Sequence, residues 1–175
     1  MRKNRLSEGL IYPDIVMVPG FYAVGRRHEI IYGDFDTPSA VAKRFEKYMS
    51  GMPNVMNPNI YIGLTRCAEP DIPENRSHYF PSVQVSSLNN IPPGFIGNEF
   101  PSVLCARFRY IGEHSYHDID WYRAQQMYEA IGNYFTDFDE TYSSMRKELY
   151  FERVDISECS EKYCLMEWLT PIKKK

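Results

Sequence analysis

The chain has 175 residues and a mass of 20.6 kDa, with 20 Lys+Arg against 23 Asp+Glu and a formal charge of −3. At 43% hydrophobic and 25% charged residues it has the balance of a globular protein, which excludes global disorder, and no apolar run approaches the ~18 residues that span a bilayer. A pI near 5.8 leaves no global basic footprint for nucleic acid, and MRKNRLSEGL has no apolar stretch behind its basic residues, so no secretory signal is expected.

Val18–Ile30 (VPGFYAVGRRHEI) is the first strand-rich run. Thr37-Pro38-Ser39 then predicts a helix start, with Thr as N-cap and Pro at the first helical position. Val41, Phe45 and Tyr48 recur at i, i+4 and i+7, the stripe of a helix with one buried face, and Gly51 ends it. Two strand-like runs follow, Asn59–Arg66 (NIYIGLTR) and Tyr79–Ser86 (YFPSVQVS), around a long loop over Cys67–His78 that contains Pro70 and Pro73. A Pro- and Gly-rich link, Asn89–Gly97 (NNIPPGFIG), comes next.

Beyond the link the pattern repeats at an offset of about 83 residues. Ser102–His114 (SVLCARFRYIGEH) resembles Val18–Ile30, and Asp120 is an N-cap where Thr37 stood. Ala124, Tyr128 and Ile131 take the places of Val41, Phe45 and Tyr48, in a helix that fades near Phe135. Glu148–Asp155 (ELYFERVD) and Tyr163–Thr170 (YCLMEWLT) supply the last two strands. The expected fold class is therefore α+β: duplicated β-α-β-β modules, about Asp14–Ser86 and Ser102–Ile172, related by pseudo-twofold symmetry within one domain over residues 1–175.

Side chains two apart on a strand share a face. Ile60, Ile62 and Leu64, with Leu149 and Phe151, form purely apolar sets that are expected to pack against the helices. Tyr61, Gly63, Tyr150 and Glu152 are then left on the opposite face, where the two copies together would build an aromatic-walled groove around a carboxylate. The other chemistry-bearing types are sparse. Cys67, Cys105, Cys159 and Cys164 include no C-x-x-C pair, and His28, His78, His114 and His117 stand at no metal-ligand spacing from them, so no metal and no cofactor are expected. Four cysteines without a signal peptide read as reduced thiols in a cytoplasm. Arg26-Arg27 and Lys173–Lys175 read as solvated charge, and no helix-turn-helix pattern carries base-reading residues.

Three segments of the second half carry a family resemblance: Leu104–Gly112 (LCARFRYIG), Tyr150-Phe151-Glu152-Arg153, and Met166–Ile172 (MEWLTPI). In this order and spacing they are similar to the motifs of the GyrI-like small-molecule-binding family, also known as AraC-type effector-binding domains. The resemblance runs from about Asp14 to Lys173. Arg153 and Val154 depart from it, since a Tyr usually follows the acidic position. It implies an antiparallel sheet with the helices on one face, a ligand cleft between the modules, and Glu152 as the buried acid that holds lipophilic cations. A buried carboxylate is costly unless a positive charge meets it, and tyrosine rings add cation–π attraction of about 0.5–2 kcal/mol. Alternatively, Glu152 pairs with Arg107, Arg109 or Arg153 on the sheet.

Tyr61, Tyr150, Glu167, Trp168 and Trp121 complete the candidate ligand set. A one-residue slip decides whether Glu167 or Trp168 faces the cleft. A hairpin tip near 155–162 favours Glu167, opposite Tyr150, while the repeat pairs Glu167 with the core-like Val83. Trp121, in the first turn of the second helix, either covers the cleft mouth or anchors to the core. The expected function is binding of a hydrophobic, cationic or amphipathic small molecule for sensing or drug sequestration, with no direct contact to nucleic acid or membrane. The resemblance also implies two alternatives. One is hydrolysis of reactive cyclopropyl electrophiles, with Glu152 as general base and Tyr150 as proton donor. The other is a protein partner, through inhibition of DNA gyrase.

Overall fold

The computed structural model describes residues 5–31, 33, 37–66, 75–145 and 149–175. Most of the expected loop over Cys67–His78, with Pro70 and Pro73, and the expected strand start at Glu148 lie outside them. Among the described residues the order is β1 (Asp14–Val18), β2 (Phe21–Gly25), β3 (His28–Ile31), α1 (Pro38–Met49), β4 (Ile60–Arg66), β5 (Arg76–Val85), β6 (Ile96–Phe100), β7 (Val103–Gly112), α2 (Trp121–Asn133), β8 (Tyr142–Ser144), β9 (Tyr150–Asp155) and β10 (Cys164–Lys174). Thr37 caps α1 by accepting from the Ala40 N–H, and Asp120 caps α2 by accepting from the Arg123 N–H. No described helix is long and apolar enough to cross a membrane.

The strands form one antiparallel sheet in the order β1-β7-β10-β9-β4-β5-β2-β6, with β3 extending β5 and β8 extending β10. The α+β class and the antiparallel sheet are as the sequence implied. The registers carry the duplication. Gly25 pairs with Ser82 and Ser82 with Ile62; in the second half Arg107 pairs with Leu169 and Leu169 with Phe151. Between the halves β4 pairs with β9, Ile62 with Arg153 and Leu64 with Phe151. Gly63 and Glu152 are the pair that lies between these two. The outer strands are exchanged: β1 leads into the first half but pairs with β7, and β6 leads into the second but pairs with β2. Short links, Pro19-Gly20 and Pro101-Ser102, make each crossing.

Both helices cover the same face, but it is not the expected one. Val41, Phe45, Ala124, Met127 and Ile131 pack with Tyr61, Tyr150, Val154 and Trp168. The purely apolar set (Ile62, Leu64, Phe151) lies on the other face with Ala23, Phe80, Phe100, Cys105 and Leu169. Alternation tells which side chains share a face, not which face the helices take. The tyrosine face can go under the helices because its hydroxyls satisfy one another, as described below. The apolar face instead buries itself by curvature: the Phe21 and Phe151 rings sit 6.1 Å apart, although three strand spacings, ~14 Å in a flat sheet, separate β2 from β9.

Candidate functional site

Glu152 stands at the middle of the sheet, with Gly63 opposite it on β4 and Trp168 opposite it on β10. It is buried, with 7% of its surface exposed. Two hydroxyls donate to its Oε1: Tyr79 from β5, and Tyr116 at 3.0 Å from the 3-10 turn Tyr116–Asp118 that precedes α2. Tyr79 reaches the carboxylate across Gly63, where a Cβ would stand 2.6 Å from Glu152 Oε1 and collide with the Tyr79 hydroxyl. Since Tyr79 gives its proton to Glu152, the 2.6 Å contact between the Tyr61 and Tyr79 hydroxyls is Tyr61 donating. A directed chain results, from Tyr61 through Tyr79 to Glu152.

Burial pushes the Glu152 carboxyl up to about 7, with the hydrogen bonds from Tyr79 and Tyr116 pulling the other way. Burial, and next the nearby Glu152 charge, drive Tyr61, Tyr79 and Tyr116 well above the ordinary tyrosine value, so all three stay protonated donors. No cationic side chain pairs with Glu152 among the described residues. The arginines that could have done so face the other side: Arg107 and Arg153 hold Glu167 at 3.3 and 3.2 Å, and Arg107 and Arg109 hold Asp14 at 3.1 and 3.0 Å.

Beside the carboxylate is a narrow cavity of about 20 Å³, between the first turns of α1 and α2 and strands β9 and β10. Ser39, Tyr116, Met127, Tyr128, Glu152 and Trp168 are among its walls. Trp168 is clamped there, stacked on Tyr150 with centroids 5.1 Å apart and met edge-on by Tyr128 at 4.9 Å. The Trp168 indole N–H has no hydrogen-bond partner among the described residues. The volume suits about one water. In place of the expected broad groove there is a narrow pocket, because Tyr116 and the first turns of both helices help to wall it.

The predicted residues divide accordingly. Glu152 and Trp168 line the cavity, and Tyr61 stands behind Glu152 in the hydroxyl chain. Tyr150 supports Trp168 and donates to the Tyr128 hydroxyl at 3.0 Å. Trp121 opens α2, half-buried against the helix-side core and away from the cavity walls. Glu167 is corrected outright. The register sets Glu167 against Arg153 and Trp168 against Glu152, so Glu167 faces the arginines on the far side. The slip arises because the β9–β10 connection includes the 3-10 turn Ile156–Glu158, which shifts the pairing from that of a simple hairpin. Tyr79, Tyr116 and Tyr128 were missed. Gly63 was the available signal for Tyr79, since a glycine inside a strand marks a close approach; Tyr116 sits on a turn with no periodicity to reveal it.

No family model and no curated protein matches the chain. Solved structures do. The structure of SAV2435 bound to tetraphenylphosphonium superposes with a TM-score of 0.62 at 15% identity, covering 93% of this chain and 94% of that one. The EcmrR C-terminal domain gives 0.58 at 16% identity, covering 93% and 98%. In the cryo-EM structure of the EcmrR–DNA complex the match is 0.63 at 14% identity over 93% of this chain, but only 57% of the EcmrR chain. The likeness is one of fold: this chain has the architecture that its resemblance to the GyrI-like effector-binding domains implied.

Proposed function

We propose that the chain binds a lipophilic cation in the cavity beneath the two helices, with Glu152 as its anionic anchor. One observation carries this reading: a carboxylate buried at the middle of the sheet, fixed on Oε1 by two tyrosines, with no cationic partner among the described residues. Its charge is costly there until a cation arrives. Trp168, Tyr116 and Tyr128 supply aromatic walls, and Met127 an adaptable one. SAV2435, which shares the fold, has been captured with tetraphenylphosphonium, a cation of this kind. A ligand of that size requires the pocket, about 20 Å³ here, to widen. The contacts that would yield join α1 to the Tyr116 turn: Ser39 Oγ donating to the Ile119 carbonyl at 2.7 Å, and His117 Nε2 beside Glu46 at 2.9 Å. The same capture serves sensing when the chain is coupled to a regulator, and sequestration when it acts alone.

Titration of the protein and of Glu152→Gln with tetraphenylphosphonium and with neutral triphenylphosphine oxide tests the reading. The variant is expected to bind the cation about tenfold more weakly or worse, the worth of a charged hydrogen bond, and the oxide nearly unchanged. Equal loss for both ligands would make Glu152 a structural residue and overturn the proposal.

A further inference from the structure

Trp168 and Glu152 occupy facing positions on β10 and β9, and both wall the helix-side cavity. Paired positions on neighbouring strands lie about 5 Å apart at their Cα atoms, so the cavity presents a carboxylate and an indole side by side. An ionised carboxylate only accepts hydrogen bonds, and an indole N–H only donates.

Trp168 is 3% exposed, and its Nε1 is buried without a hydrogen-bond partner among the described residues. The ring is held in place: it stacks on Tyr150 at an interplanar angle of 18° and stands perpendicular to Tyr128, at 89°. A rotation that carried the N–H to another protein group would break both contacts. Buried indole N–H groups usually have a partner, and an unmet one costs stability. A donor held unmet beside a binding carboxylate is explained by a ligand that brings the acceptor.

We infer that the ligand of this cavity is a lipophilic cation that also carries an acceptor oxygen a few bonds from its positive centre, and that Trp168 Nε1–H selects it through that oxygen. The inference rests on the Glu152 reading and narrows it: Glu152 recognises the charge and Trp168 the acceptor. A cation of the same shape with methylenes in place of the acceptor leaves the N–H buried and unmet, so the site discriminates against it.

Benzoylcholine and (4-phenylbutyl)trimethylammonium are the probes. Both are permanent cations with the same spacing between phenyl ring and nitrogen, and only benzoylcholine has ester oxygens. Each is titrated by calorimetry into the whole protein, Trp168→Phe and Glu152→Gln. Trp168→Phe keeps a ring beside Tyr150 but loses the N–H. It is expected to bind benzoylcholine about fivefold more weakly, and the alkyl cation within about twofold of the wild type. Glu152→Gln is expected to weaken both cations alike, by about tenfold. In NMR spectra of the wild type, the Trp168 indole proton, told from that of Trp121 with Trp121→Phe, should move further downfield with benzoylcholine than with the alkyl cation. The shared phenyl ring cancels ring currents from this comparison, and the readout stands even if Trp168→Phe folds poorly.

The inference alone is overturned if Glu152→Gln weakens both cations while Trp168→Phe weakens them equally or not at all. An indole proton that responds alike to both, as it would if a water met the N–H throughout, overturns it too. If the wild type binds neither cation, or Glu152→Gln binds both as the wild type does, the Glu152 reading falls and the inference with it.

Discussion

Gly63 and Glu152 are paired directly across β4 and β9, the two strands that join the halves of the sheet. A carboxylate at both positions would set two like charges side by side in a dry core. Glycine at position 63 leaves a single acid there, and the space freed by its missing side chain is what the Tyr79 hydroxyl occupies.

Gly63→Ala should therefore lower stability by about 1–3 kcal/mol, since the new methyl overlaps both partners of a buried hydrogen bond. Urea unfolding monitored by circular dichroism reads this as a lower midpoint. An unchanged midpoint would mean that β4 shifts freely and that the site is looser than its geometry suggests.

The titration of Glu152 has a definite sign. Its folded value, about 7, lies above the ordinary carboxylate value of 4.5, so between these limits the folded state holds more protons than the unfolded one. Stability should fall as pH rises from 4.5 to 7, by up to about 3 kcal/mol, and then level off. Glu152→Gln should remove that slope. Unfolding midpoints collected across this range for both proteins check it, and a slope retained in the Gln variant would assign it to another group.

Tyr116→Phe deletes one of the two donors to Glu152 Oε1 while keeping the ring. That hydrogen bond favours the ionised carboxylate, so its loss should move the Glu152 titration upward from about 7. Carbon-13 NMR of the carboxyl group follows this directly; a downward move would contradict the assigned direction of the bond.

Glu167→Gln should be mild. Its partner Arg153 is half exposed, and pairs of this type contribute about 1 kcal/mol or less. Tetraphenylphosphonium affinity should stay at the wild-type level because Glu167 lies on the face away from the helices. A loss as large as that of Glu152→Gln would mean that both acids share one site.

Local signals were the readable part of this sequence. Thr37 and Asp120 act through their own backbone neighbours, so their capping roles follow from residues three apart, and the repeat of helix stripes disclosed the duplication. Glu152 was visible as an acid among apolar strand residues. Register and strand exchange were hidden because they depend on pairings such as Val18 with Val103, distant in sequence. The fate of Glu167 turned on a single turn of backbone, Ile156–Glu158, whose length no periodicity encodes. Tyr79 and Tyr116 join the site only through tertiary contact.

The exchange of outer strands also has a consequence for synthesis. As the chain leaves the ribosome, β2 has no outer neighbour until Ile96–Phe100 emerges, and β1 has none until Val103–Arg107 follows. The first half is thus born with an open edge and a spare strand that do not fit each other in the final register. Closure waits for distant residues, which places folding among the slow, non-local topologies and leaves Ile15 and Met17, exposed even in the finished protein, on an unpaired apolar strand during that wait.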